Sequence, residues 1–78
     1  MIETTEQKVR EIILSILGSD TQSPTSTTTF REMGADSIDV MEIFIEIEEE
    51  FGISIPDADA NSMRTFGDII KYLNERNK

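Results

Sequence analysis

Cysteine, histidine and tryptophan are all absent from these 78 residues. Without cysteine there is no disulfide, no thiolate nucleophile and no thiolate metal site. Without histidine the commonest general base and the commonest transition-metal ligand are missing as well. No apolar run is long enough to span a bilayer and no signal-peptide pattern opens the chain, so a cytoplasmic protein without stable membrane insertion is expected. Basic residues are scarce: seven Lys and Arg stand against sixteen Asp and Glu, for a formal net charge of −9. None lies between Arg31 and Arg64, an interval that holds ten acids. Such a field repels nucleic acid and anionic membrane and steers basic protein surfaces toward it. The length allows one small domain, residues 1–78, whose core is too small to enclose a deep, rigid active site.

What is present is helical periodicity. Thr4-x-x-Gln7 reads as a capping box, and Val9, Ile12, Ile13, Ile16 and Leu17 follow at the spacing of one buried helix stripe. Gly18 is placed to stop that helix. Residues 18–36 form a long loop rich in Ser, Thr, Asp and Pro, in which Phe30 and Met33 are the only large apolar residues able to pin it to a core. A second helix runs from Ser37 to about Phe51, and Gly52 ends it. Ile53, Ser54 and Ile55 alternate as a short extended stretch up to Pro56. Asp57 then opens a short third helix with Met63 packing inward from its end. Thr65-x-x-Asp68 is a further capping box, before a last stripe of Phe66, Ile69, Ile70 and Leu73. Arg76 and Lys78 favour the C-terminus of that helix through its dipole. The expected fold class is all-α: a small four-helix bundle of three main helices and a short third one, with a long loop between the first and second.

The second helix has more apolar surface than one core can take. At about 100° per residue, Val40, Ile43, Phe44, Ile47 and Phe51 cluster on one side. Ile38, Met41 and Ile45 fall nearly opposite, ringed by Glu42, Glu48 and Glu49. A helix in a small bundle cannot bury both sides, so the second stripe should face water as a partner site. Glu48-Glu49-Glu50 lacks the loop of a calcium site, and consecutive helical carboxylates diverge, so no dedicated metal site is expected.

The most informative stretch is Gly34-Ala35-Asp36-Ser37-Ile38-Asp39, where a glycine turn runs straight into that helix. Ser37 sits at the junction, where unpaired backbone N–H groups and the helix dipole favour a negative group. Asp36 or Ser37 could equally serve as a simple N-cap, with Asp39 completing a weak capping box. Ser37 has no base, orienting group or oxyanion hole in sight, which argues against a serine hydrolase.

Gly34 to Asp39, continued by Val40-Met41-Glu42-Ile43 and by Glu48-Glu49-Glu50-Phe51-Gly52-Ile53-Ser54-Ile55-Pro56-Asp57, closely resembles the acyl carrier protein family, with Ile38 where the family signature Asp-Ser-Leu has leucine. The resemblance spans residues 9–73. It implies a non-catalytic carrier of acyl groups, held as thioesters on a 4′-phosphopantetheine arm that a phosphopantetheinyl transferase moves from coenzyme A to Ser37. It implies that Asp36, Ile38, Asp39, Met41, Glu42, Ile45, Glu48 and Glu49 meet basic docking patches on acyltransferases, ketosynthases and other synthase enzymes. It also implies an acyl cleft lined by Val40, Phe44, Ile47, Ile55, Ala60 and Met63, in a protein acting as a monomer. Two departures stand out. Phe30-Arg31-Glu32-Met33-Gly34 is one residue shorter than the common fatty-acid-synthesis form and is closer to polyketide carrier domains. The loop also lacks the family's apolar residue between Gly18 and Thr29, which predicts a more mobile loop. Fatty acid biosynthesis and a related polyketide or secondary pathway both remain open. The alternative from a different class is an unmodified acidic helical protein-interaction module, which would share the charge and the exposed stripe but need no serine at position 37.

Overall fold

A computed structural model describes residues 4–18 and 22–76 of the chain. Four helices follow one another: α1 Thr5–Leu17, α2 Ser37–Phe51, α3 Asp57–Ser62 and α4 Phe66–Arg76. The all-α expectation holds, and each boundary has a local cause. Thr4 Oγ1 accepts from the Gln7 N–H at 3.1 Å while the Gln7 side chain accepts from the Thr4 N–H at 3.0 Å, closing the first capping box. Gly52 ends α2 in the left-handed conformation at φ 64°, and the N–H groups of Gly52 and Ile53 both donate to the Glu48 carbonyl. A side chain at Gly52 would be strained there. Thr65 and Asp68 cap α4 reciprocally, each backbone N–H donating to the other's side chain at 3.1 Å. Arg76 lies in the last turn of α4, as expected; Lys78 lies outside the described residues.

The helices meet on the residues that the periodicity selects. Val9 and Ile13 of α1, Ile43, Phe44 and Ile47 of α2, and Phe66, Ile69 and Leu73 of α4 form the buried cluster. Phe30, Met33, Ile55 and Met63 extend it from the connections. Each such side chain contributes roughly 1.5–3 kcal/mol by leaving water. Phe30 meets Phe44 edge-on with ring centroids 5.8 Å apart. Ile12, Ile16, Leu17, Val40, Phe51 and Ile70 pack against this cluster while keeping part of their surface in solvent.

Within the described part of the connection from α1 to α2, Phe30 and Met33 are buried as expected, and they are not the only anchors. Pro24 is fully buried, and its carbonyl accepts from Arg10 Nη2 at 3.2 Å. The missing apolar residue of the loop is therefore this proline. Farther along, the loop is stitched to the start of α4. The Phe66 N–H donates to the Thr28 carbonyl at 2.9 Å, and the Phe30 N–H to the Arg64 carbonyl at 3.1 Å. These bonds surround an isolated antiparallel bridge between Thr29 and Thr65. The Gly67 N–H donates to the Ser26 carbonyl at 2.9 Å, and a Cβ on Gly67 would stand only 2.6 Å from that oxygen. Thr29 and Glu32 form a reciprocal cap of their own, with bonds of 3.0 and 2.9 Å, around the turn that delivers the chain to Gly34. The stretch preceding α2 is thereby joined by hydrogen bonds to the start of α4.

Candidate functional site

Asp36 is the N-cap of α2. Its Oδ1 accepts from the Asp39 N–H at 2.8 Å, and its own N–H donates to Asp39 Oδ2 at 3.2 Å. Both carboxylates flanking Ser37 are thus engaged with backbone N–H groups, and the expected weak box is complete. Ser37 is the first helical residue, exposed, and its hydroxyl has no hydrogen-bond partner among the described residues. The cap does not need it. An idle hydroxyl on a rigid corner, at the positive end of a fifteen-residue helix, is free for derivatisation by a negative group.

Ser37 also stands at the edge of an open cleft of about 390 Å³ between α2 and α3. Four residues expected in an acyl cleft line it: Val40, Phe44, Ile55 and Ala60. Two others do not. Ile47 is wholly enclosed in the core and is absent from the lining. Met63 faces a neighbouring groove of about 380 Å³, bounded by Thr29, Phe30, Arg31 and Arg64 and sharing Val40, Ala60 and Asn61 with the first. Met41 and Ile45, read from the sequence as outward-facing, form part of the cleft lining as well. Asp57 and Asn61 were missed. With Ala60 they have the i, i+3, i+4 spacing of one helix face, and that face is the α3 wall of the cleft.

The outward stripe is real. Ile38, Met41 and Ile45 are 66%, 61% and 44% exposed, the large apolar residues most open to water among the described residues. Asp36, Glu42 and Glu49 stand exposed near them, and Asp39 is half-buried. Glu48 departs from this pattern. It is half-buried, and its Oε2 accepts from the Ile55 N–H at 2.7 Å. Its carboxylate braces the extended stretch that positions α3, so Glu48 has a structural duty that its place in an acidic run does not reveal.

The sequence matches the family described as "Phosphopantetheine attachment site" over residues 7–73. The chain belongs to the acyl carrier protein family. A solved structure described as "a putative acyl carrier protein" from Mycobacterium tuberculosis is similar to it, with a TM-score of 0.84 and 26% identity over 91% of this chain and 96% of the other. This acyl carrier protein has the covalent 4′-phosphopantetheine of its family as its cofactor. Members of the family are non-catalytic carriers that work with a phosphopantetheinyl transferase and synthase enzymes. The residues present fit such an arm: an unpartnered serine hydroxyl, a helix N-terminus beneath it and an apolar cleft beside it. No described helix is long and apolar enough to cross a membrane.

Proposed function

We propose that Ser37 is the attachment point, and that the whole chain acts as one carrier unit delivering acyl intermediates to the enzymes of fatty acid biosynthesis or a related polyketide pathway. The observation that carries this reading is the division of labour at the start of α2. Asp36 and Asp39 complete the cap between themselves, which leaves the Ser37 hydroxyl exposed and without a structural role. The bound arm supplies the thiol that the polypeptide lacks, on which acyl groups ride as thioesters. The chain's own residues do the rest. The N-terminal N–H groups of α2 favour the phosphodiester, while Asp36 and Asp39 repel it, so the protein grips the arm only weakly beyond the covalent bond. Val40, Phe44, Ile55 and Ala60 offer apolar surface for an acyl chain that leaves water. Ile38, Met41 and Ile45, with Glu42 and Glu49, present an apolar strip and negative charge to basic docking patches.

Incubating the unmodified protein with octanoyl-coenzyme A and a broad-specificity phosphopantetheinyl transferase tests the reading. The expected result is one octanoyl-phosphopantetheinyl group per chain, with amide shifts at Val40, Phe44 and Ala60 larger than those produced by the acetyl form. Equal shifts for the two cargoes would remove the cleft's role in holding cargo, and no mass gain would remove the carrier role.

A further inference from the structure

The wall of the cleft opposite α2 is the least supported element of the fold. The helix α3 has six residues, none of them buried, and its N-cap Pro56 makes no side-chain cap bond. A helix this short does not hold itself together in water. It is tied at both ends. Before it, the Ile55 N–H donates to Glu48 Oε2 at 2.7 Å; after it, the Arg64 carbonyl accepts from the Phe30 N–H at 3.1 Å. Between those ties, one side-chain hydrogen bond joins α3 to another helix among the described residues: the Tyr72 hydroxyl of α4 donates to Asp59 Oδ2 at 2.8 Å. Arg76 Nη1 donates to the same hydroxyl at 3.5 Å and its guanidinium lies 5.7 Å from the Tyr72 ring centre. Asp59 is off the cleft lining, whereas Asp57, Ala60 and Asn61 are on it. At about 100° per residue Asp59 lies on the far side of α3 from those three. The short helix thus has a cleft face and a latched back.

We infer that the Tyr72–Asp59 hydrogen bond is a latch that fixes the α3 wall and so limits how much acyl chain the cleft accepts, making Tyr72 and Asp59 positioning residues for cargo capacity. This rests on the cleft reading proposed above. Ala60 is the one hydrophobic residue of α3 packed against the buried cluster, so releasing the latch leaves a panel held at its two ends and by a single small apolar side chain. The tyrosine is in keeping with this role. Burial, and then the neighbouring Asp59 carboxylate, push its hydroxyl above the ordinary value of 10.0, so it stays a donor throughout the neutral range.

The test uses Tyr72→Phe, which keeps the ring in place, together with Asp59→Ala and the double variant. In the unmodified chain, amide hydrogen exchange within α3 should accelerate roughly five- to tenfold in each single variant, and no further in the double, while the core amides of Ile43 and Ile69 are unchanged. Unchanged α3 exchange, or equal acceleration in the core, overturns the latch. With a decanoyl group on the arm, the released wall should protect the thioester, slowing its cleavage by hydroxylamine severalfold relative to the unsubstituted protein. Equal or faster cleavage overturns the link to cargo. A chain that takes no arm at all would contradict the carrier reading alone, because the exchange measurement needs no modification.

Discussion

Two helix starts in this molecule share one motif and differ in the side chain set just inside it. Asp36-x-x-Asp39 and Thr65-x-x-Asp68 each close a reciprocal capping box, with bonds of 2.8 and 3.2 Å in the first and 3.1 Å for both in the second. The residue immediately inside the first box is Ser37, exposed and unpartnered; inside the second it is Phe66, only 1% exposed. The Asp36 box holds a hydroxyl out to solvent. The Thr65 box plants an aromatic ring in the core and is itself stitched to the long loop through Thr28 and Arg64. A capping box is therefore neutral as to role. The side chain it sets at the first helical position, inward or outward, decides whether the corner is structural or reactive.

Substitutions at the two starts sharpen the contrast. Phe66→Ala should cost about 3–5 kcal/mol in urea unfolding, a large loss for a domain this small, whereas Ser37→Ala should leave the midpoint essentially unchanged. Next to Phe66, Gly67→Ala should cost about 1–3 kcal/mol, because its new Cβ meets the Ser26 carbonyl, a backbone atom that cannot swing away. Removing the caps should bring the two corners level: Asp36→Ala and Thr65→Ala should each cost about 1 kcal/mol by the same assay. A much larger loss at Asp36 would show that the first box supports the core after all.

A charge-reversed Glu42→Lys should leave the fold intact and slow phosphopantetheinyl transfer roughly three- to tenfold at low salt, with the difference shrinking as salt is added. Identical rates at low salt would detach the acidic rim from recognition. The smallest effect concerns pH. Backbone N–H bonds from Arg64 and Thr65 hold the Asp68 carboxyl below its ordinary 3.8. The folded chain then binds fewer protons at this group than the unfolded chain, so its contribution is complete above the ordinary value. That contribution fades as pH falls through 3.8 and then through the lower folded value. Asp68→Asn should flatten the acid limb of the stability curve, and an unaltered limb would contradict the assigned bonds.

The main helices were legible because they carry local evidence: α1, α2 and α4 each have an apolar stripe at the helical period and a capping box, and α1 and α2 end on a glycine. The exposed stripe of α2 was legible for the same reason, since a bundle leaves one face of such a helix in water. The stitching of the loop to α4 was not, because it is made of backbone N–H and carbonyl groups that every residue possesses. Pro24 was overlooked as an anchor since proline in a Ser/Thr-rich run reads as a turn former before it reads as a core residue. The cleft was half legible. Periodicity assigns Val40 and Phe44 to one side of α2 and Met41 and Ile45 to another, but says nothing of where α3 comes to rest between them. That depends on the Glu48 and Tyr72 contacts, each joining residues distant in sequence, Glu48 with Ile55 and Tyr72 with Asp59.

The carrier role depends most on Ser37, and intact mass tests it most directly. Wild-type protein and Ser37→Ala, both shown to be helical, would be incubated with coenzyme A and a broad-specificity phosphopantetheinyl transferase. One added phosphopantetheinyl group on the wild type and none on the variant is the predicted result. An unchanged wild-type mass, or an equal gain on both, would contradict the assignment of Ser37 as the attachment point.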